Sequence, residues 1–587
     1  MGELHTAMLE CGYRYLVPKQ RKAYEHLVSI SSKHDVYVKE FTTIEGIFKV
    51  ALVFDYDPYT SLPWAHLMEI PEHLNDVLLP HVNNGGYLCY VEELEADWNP
   101  NNLQGLYTTV DRQIQITLDN SVKALKSGQV EQTELEGEFA AYWKPERRVY
   151  ALSNFDSLHG YTSILTSNKF VDNSDRQESL LYCNNTKDIH QKWLMQRGLY
   201  EYDSQKLNTF VVKVRPTRLS GVNWPPKDSI EFFEWLSVVD HNAKANLVKY
   251  FVEHPFKHHL ILLEVDKQDT LGLVLELNQQ AVQFSTYAKR KKTGKGGRKL
   301  DLGRASSVIS GKYAFNKFQR ISFAKADQET ILSRNRSRPK IGDLRPKFIA
   351  LIGCGTVGGY VAELLIRSGA GMGLGSFHLY DPDTYGPHNF GRHTLNSCDF
   401  GKNKAVALKE RLDSATHLMT NIKALNIGFP LTADALSLYD IIIDATGRGP
   451  IAKRLAYLVR QIEGKKKPII IHGFNDGNGL ASKVFIDYSD SCYNCLCGDD
   501  AFYNNGSDRR FTNLTQVNQK RVSCGSTYTP YDAAVSIITA ALIQEAILST
   551  LEHQRDWNYK EHIFVGGRSK KPTWIGTKAF CDICNAK

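Results

Sequence analysis

The stretch KFIALIGCGTVGGYVAELLIRSG, Lys347–Gly369, decides how the chain is read. An apolar run, Ile349–Ile352, leads into Gly353-Cys354-Gly355-Thr356-Val357-Gly358, and a helix-forming segment follows at once. Glycines in a G-x-G-x-x-G turn let the backbone come close to a pyrophosphate, and the helix start offers it free amides. Asp381 ends the next strand, FHLYD, 23 residues beyond Gly358, where a carboxylate can bind ribose hydroxyls. YDIIIDATG and PIIIHG add further strands between helical segments. Strands alternating with helices predict a parallel, doubly wound sheet.

The chain is too long for that sheet alone. Its 587 residues predict about three domains. Apolar residues at 42% and charged residues at 23% exclude a largely disordered chain. A net charge of +7 is spread too thinly to argue for nucleic acid. The N-terminus lacks a basic segment followed by a long apolar run, so no signal peptide is expected. Met1-Gly2 with Thr6 fits a myristoylation pattern and is read as a chance match. The run AAVSIITAALIQEAIL from Ala533 carries Gln544 and Glu545 and reads as a buried helix rather than a membrane span. A cytoplasmic protein is expected.

Residues 1–150 read as an α+β unit with a helix over Lys19–Lys33, a strand at Phe48, Val50, Leu52 and Phe54 with one face buried, and a helix over Asp111–Ser127. Residues 151–329 read as an α/β linker domain, with strands in TFVVKVR, HHLILLEV and LGLVLEL and a capping box of Asp228 and Glu231 opening a helix. The basic run Lys289–Lys299 reads as an exposed loop. Residues 330–587 form the third domain.

Beyond Asp381, the segments DPDTYGPHNFGRHTL and DFGKNKAVALKERL place Asn389, Arg392, Lys402 and Lys404 near the glycine turn. A dehydrogenase gains little from so many phosphate binders, whereas cleavage of a triphosphate needs its charge stabilised. Asp444 at the end of YDIIIDATG is a candidate Mg²⁺ ligand. As a bland alternative, Lys402 and Lys404 are solvated helix residues.

Asp381, Asn389–Arg392, GKNKA from Gly401 and Asp444 resemble the adenylation domain of ubiquitin-activating enzymes and their bacterial ThiF/MoeB relatives. The resemblance covers residues 330–587. It implies that Asp381 binds ribose, that Asn389, Arg392 and Lys404 contact the phosphates of ATP, and that Asp444 serves Mg²⁺. His393 stands where relatives commonly have Gln and receives no role. In the family an arginine upstream of the glycine turn reaches across a homodimer, and Arg334, Arg336 and Arg338 are the candidates.

Eleven cysteines in an intracellular chain argue against a disulfide framework. Cys492-x-x-Cys495 and Cys581-x-x-Cys584 are two knuckles suited to one tetrahedral Zn²⁺, with a redox dithiol as the alternative. The ThiF/MoeB-like family holds a structural zinc on such pairs. Cys524, in RVSCGSTYTPYDAAVSI near Arg521 and a helix start, is a candidate nucleophile, set against an ordinary loop cysteine. The family places its thioester-forming cysteine in a comparable loop. Cys354 and Cys398 read as unreactive neighbours of the nucleotide, Cys497 stands outside the knuckle spacing, and Cys11 and Cys183 carry no signal. His254, His258 and His259 read as a loop entering a strand, not a metal site.

Cys89 is preceded by His81-Val-Asn83-Asn84 and followed by Trp98-Asn99-Pro100. This layout resembles the ubiquitin-conjugating fold, with valine in place of the proline of its His-Pro-Asn. The resemblance implies that Cys89 carries an acyl group, with the amide of Asn83 or Asn84 stabilising the oxyanion. A conjugating-like domain, a linker and an activating domain in one chain resemble the activating–conjugating fusions of CBASS, the cyclic-oligonucleotide anti-phage signalling systems. That resemblance implies the substrate, the C-terminus of a cyclic nucleotide synthase (cGAS/DncV-like), which is adenylated, passed from Cys524 to Cys89 and joined to an amine on a target protein. The rivals are a sulfur-carrier adenylyltransferase, which leaves Cys89 idle, and a nucleotide-binding scaffold without turnover.

Overall fold

The structure is a computed structural model that describes residues 2–21, 34–75, 79–83, 86–126, 140–155, 160–170, 178–183, 187–215, 224–265, 268–293, 302–333, 343–504, 507–511, 520–523, 526–528, 531–553 and 555–585. Contacts divide it into two compact units, 1–185 with 201–326, and 186–200 with 327–587.

The first unit opens with an antiparallel sheet, β1 (Arg14–Tyr15), β2 (Asp35–Thr43), β3 (Gly46–Phe54), β4 (Trp64–Glu69) and β5 (Tyr87–Leu88), paired in that order. Phe48, Val50, Leu52 and Phe54 of β3 pack with Tyr107, Ile114 and Leu118 of the helix Leu103–Lys126. The expectation of one buried face is corrected, because Ala51 and Val53 are covered on the other face by Leu16, Val36, Val38 and Met68. The helix also starts ahead of the expected Asp111, where the Asn102 side chain accepts from Gly105 N at 2.9 Å. Beyond Arg21 the helix expected over Lys19–Lys33 lies outside the described residues.

The middle of the chain is built on a closed barrel. Its strands are β6 (Arg147–Ala151), β7 (Gly160–Phe170), β8 (Glu178–Tyr182), β9 (Leu199–Val214), β10 (His258–Val265), β11 (Leu271–Leu277) and β12 (Phe315–Lys325), in the order β10-β11-β12-β6-β8-β7-β9. HHLILLEV is apolar almost throughout because both faces of β10 are buried: Leu260 and Leu262 join one cluster, Ile261 and Leu263 another with Phe232, Phe233 and Phe251. Asp228 caps the helix Ser229–Val239 through Ile230 N and Glu231 N, while Glu231 reaches Lys227 N instead of completing the box on Asp228. The expected basic loop begins as helix, since Gln279–Thr293 is helical, and residues 294–299 lie outside the described residues.

In the second unit, β13 (Ile349–Ile352), β14 (Phe377–Tyr380), β15 (Ile422–Leu425), β16 (Ile441–Asp444), β17 (Ile469–Asp476) and β18 (Ala481–Asp487) form one sheet with the strand Tyr559–Ile563, in the order β15-β14-β13-β16-β17-β18 and then that strand. β13 to β17 are parallel, and β18 and the last strand are antiparallel additions. The strand order reverses between β13 and β16, the crevice where open α/β sheets bind ligands. The helix Ala533–Leu551 is long and apolar enough to cross a membrane, but 56% of that stretch is buried within the protein. Ala540, Ile543 and Ile547 pack against Val361, Ala362 and Leu365 of the helix Thr356–Arg367. The short helix Lys187–Gln196 also belongs to this unit, where Lys192 donates to Leu418 O at 2.8 Å and Gln196 to Thr416 O at 2.9 Å.

Candidate active site

The glycine turn joins β13 to the helix Thr356–Arg367 at the strand-order reversal. Gly353 has φ +91°, and a Cβ on Gly358 would lie 1.9 Å from Gly353 O, so both positions demand glycine. Gly355 is the helix N-cap without a side-chain cap and meets nothing within 4 Å, which leaves the first-turn amides facing open space. That space is a cavity of about 570 Å³ lined by Gly355, Thr356, Thr446, Asn475, Asp476 and Tyr531, among others.

Asp381 lies directly under the turn. Its Oδ2 accepts from Cys354 N at 2.7 Å and its Oδ1 from Asp383 N at 2.8 Å. Burial pushes its carboxyl pKa up, and those two amides oppose the shift. Lys404 opens the helix Lys404–Ser414 and pairs with Asp383 at 3.0 Å. The neighbouring Asn403 ties Asp381 O and Asp383 O together. Asn389 folds back, its Oδ1 accepting from Gly386 N at 3.1 Å. The Arg392 guanidinium lies 4.5 Å from the centre of the Tyr531 ring. Lys402 pairs with Asp399 and Glu410 on the surface.

Asp444 ends β16 almost fully buried. Its Oδ1 accepts from Thr446 N at 3.1 Å and Thr446 Oγ1 at 2.6 Å, and its Oδ2 lies 2.9 Å from His472 Nδ1. A carboxylate offers about four lone-pair positions, so about one remains for a cation. That fits Mg²⁺, which takes one or two carboxylates beside substrate phosphates.

The two cysteine knuckles meet. Cys492, Cys495, Cys581 and Cys584 bring their four sulfurs within 4.8 Å of one another. Cys492 and Cys581 are 3.5 Å apart, Cys495 and Cys584 3.6 Å, and Cys492 and Cys495 3.9 Å. A tetrahedral ion with Zn–S bonds of about 2.3 Å sets sulfur–sulfur edges of about 3.8 Å, so the cluster fits zinc. Tyr493, between the first pair, packs its ring on His472 and Phe474 of β17.

In the first unit Cys89 is exposed at the end of β5. Its N–H donates to His81 O at 2.7 Å, and His81 holds φ +63° to make the bend. Asn83 Oδ1 accepts from Tyr87 N at 3.1 Å, closing the turn that presents the cysteine. Cys89, His81 and Asn83 line one cavity of about 360 Å³ with Leu62, Trp64 and Tyr142. Trp98 donates to Tyr59 O at 2.9 Å. Cys524, Asn84, Arg334, Arg336 and Arg338 lie outside the described residues.

Comparison with known families separates the two ends of the chain in the same way. The family described as Prokaryotic E2 family B matches residues 11–152, and the ThiF family matches residues 330–568. The ATP-dependent ubiquitin transferase-like protein Cap2 of Vibrio cholerae serotype O1 is 46% identical over 99% of this chain and 99% of its own length. The Escherichia coli protein of the same name is 43% identical over 100% of this chain and 99% of its own. The chain belongs to the Cap2 family. A crystal structure of E. coli MccB with ATP aligns at 14% identity over 53% of this chain and 82% of that one, with a TM-score of 0.31.

The chain is therefore an enzyme of ATP-dependent ubiquitin-like conjugation, with an E2-like domain and a ThiF-type adenylation domain in one polypeptide. Three residues of the Cap2 site escape sequence reasoning. His393 Nδ1 accepts from Leu395 N at 3.2 Å, so Nε2 donates to Cys354 O at 2.9 Å and props the glycine turn. Burial lowers its pKa, which favours this neutral form. His472 touches Asp444, and Tyr531 touches Arg392. A histidine in PIIIHG, level with Asp444 on the neighbouring strand, was a readable signal for His472; nothing in sequence pairs Tyr531 with Arg392. Cys354 is fully buried and its thiol is pushed well above the ordinary range, which makes it unfit as a nucleophile.

Proposed function

We propose that this enzyme activates the C-terminal carboxylate of a cyclic nucleotide synthase and joins it to an amine on a target, priming CBASS anti-phage signalling in the cytoplasm. The domains divide at 1–150, 151–329 and 330–587. A homodimer completes the nucleotide site if one of Arg334, Arg336 and Arg338 reaches a partner's ATP.

The substrate carboxylate oxygen attacks the α-phosphorus of ATP, and pyrophosphate leaves. The first-turn amides after Gly355 and the side chains of Asn389, Arg392 and Lys404 hold the phosphates, and Asp381 holds the ribose. Mg²⁺ on Asp444 would supply positive charge against the triphosphate. The Cys524 thiolate then attacks the acyl carbon and releases AMP. Exchange with the Cys89 thiolate moves the acyl group, and an amine nitrogen displaces Cys89 to form an amide as its proton passes to solvent. Thioesters suit the relay because they exchange among thiolates yet stay reactive toward amines. Zinc on the four cysteines is structural.

The observation that carries the reading is an exposed cysteine on an E2-like fold, beside a cavity, in a chain that also holds an adenylation domain. The test is incubation with ATP and a candidate synthase, followed by a non-reducing gel. A thiol-sensitive adduct should persist in Cys89→Ala and vanish in Cys524→Ala. Amide products formed at the normal rate by Cys89→Ala would sink the relay.

A further inference from the structure

We propose that Tyr531 is a positioning residue for the triphosphate: its ring holds the Arg392 guanidinium toward the nucleotide cavity before ATP arrives. This rests on the reading above that Arg392 contacts the phosphates. The guanidinium carbon is 4.5 Å from the ring centre, well inside the reach of a cation–π contact. Tyr531 itself lines the cavity into which Gly355 opens.

The ring is placed by two elements far apart in the chain. Tyr531 stands two residues ahead of Ala533, where the largely buried helix Ala533–Leu551 begins, with Val535 N donating to Asp532 O at 3.2 Å. On its other side the chain makes room for it. Gly479 sits at φ +86°, and a Cβ there would lie 2.4 Å from Tyr531 Cβ. Arg392 approaches from a different element, the short 3₁₀ turn Pro387–Arg392. A long, flexible arginine is thereby fixed against a rigid ring.

Fixing it matters because a free arginine must lose its side-chain freedom when it grips a phosphate, and one already held loses less. The attraction belongs to the ring face, so phenylalanine preserves it and leucine does not. The effect should appear only for ligands whose outer phosphates reach Arg392.

Calorimetric titration of the full chain with ATP and with AMP tests this. Tyr531→Leu should weaken ATP by about 2- to 30-fold and leave AMP within about twofold. Tyr531→Phe should leave both near the parent values. Unchanged ATP affinity in Tyr531→Leu, equal losses for ATP and AMP, or a loss in Tyr531→Phe as large as in Tyr531→Leu each overturns the proposal. Arg392→Ala separates the two readings. If it weakens ATP while Tyr531→Leu does not, Arg392 binds phosphate without Tyr531; if it leaves ATP affinity unchanged, the phosphate role of Arg392 fails and the proposal falls with it.

Discussion

Removing the metal from the four-cysteine cluster should release the C-terminal segment Trp574–Asn585 while the main sheet stays folded. Three sulfur–sulfur distances of 3.5 to 3.9 Å match the edges of a zinc tetrahedron and all four sulfurs lie within 4.8 Å of one another, so binding requires modest rearrangement. Apart from the ion, the segment is held by Ile575, Cys581 and Ile583 packing in the cluster around Phe474 and Phe485, by the Trp574 ring on Tyr488, and by polar bonds that include Thr577 to Asp490 O and Asn494 to Asp582. Ile575 exchanges hydrogen bonds with Asn558 at 2.6 and 2.9 Å and accepts from Ser491 at 2.6 Å, and Lys578 pairs with Asp499 at 2.7 Å. Such bonds contribute about 1 kcal/mol each and a partly exposed ion pair less, roughly 5–6 kcal/mol together. Ordering each residue costs about 1–2 kcal/mol, so these polar bonds alone do not offset the ordering of the chain beyond Ile575. Zinc binding, on the order of 10 kcal/mol in small zinc domains, closes that gap. The assays are elemental analysis and limited chymotrypsin digestion with and without a chelator. We expect one zinc per chain, absent in Cys581→Ser, and cleavage after Phe580 only once metal is removed. Retention of stoichiometric zinc by Cys581→Ser, or two disulfides and no metal in the native protein, would refute the reasoning. Because Tyr493 braces His472, which touches Asp444, Cys581→Ser should also raise the KM for ATP several-fold.

Gly358→Ala places a methyl 1.9 Å from Gly353 O, a backbone atom that cannot swing aside, so the turn must shift; ATP affinity by calorimetry should fall by about tenfold or more, with the fold retained by circular dichroism. Lys483 is fully buried and donates to Asp476, Tyr503 and Asp508 at 2.7, 3.0 and 2.6 Å. Lys483→Met should cost about 3 kcal/mol in urea unfolding, and a loss under about 1 kcal/mol would show that Arg510 alone suffices for Asp508. Burial lowers the His259 pKa from 6.5 to about 4, with Tyr250 and Phe256 O as its partners. The unfolded chain then binds more protons between those values, so this stability is complete above pH 6.5 and is lost as pH falls toward 4, by up to about 3 kcal/mol. Urea midpoints at pH 7 and pH 4.5 should converge in His259→Gln if the assignment holds.

The doubly wound sheet was legible because its strands are short, buried on both faces and punctuated by glycine, a pattern that periodicity and turn chemistry report together. The barrel was less so. HHLILLEV and LGLVLEL read as strands, but closure depends on β9 pairing in parallel with β10 across a long crossover, and no local pattern encodes that partner. The Leu103–Lys126 helix starts earlier than the sequence suggests because its first turn is set by an asparagine cap in an Asn-rich loop, although Leu103, Tyr107 and Val110 already carry its buried stripe.

In the site, sequence nominates residues at strand ends and in the glycine turn, since backbone topology alone brings these together. It missed those whose role is set by a partner distant in the chain. His393 shows the difference. As a letter it carries no assigned role. In place, the ring accepts one hydrogen bond at Nδ1 and donates one at Nε2. A glutamine side chain also carries an acceptor and a donor. The neutral ring therefore keeps the hydrogen-bonding pattern that a glutamine would offer beneath the glycine turn, and burial biases it toward that form. What the ring brings to that position is a sensitivity to acid that a glutamine would lack, because a second proton on the ring would set Nδ1 against the Leu395 amide it now accepts from.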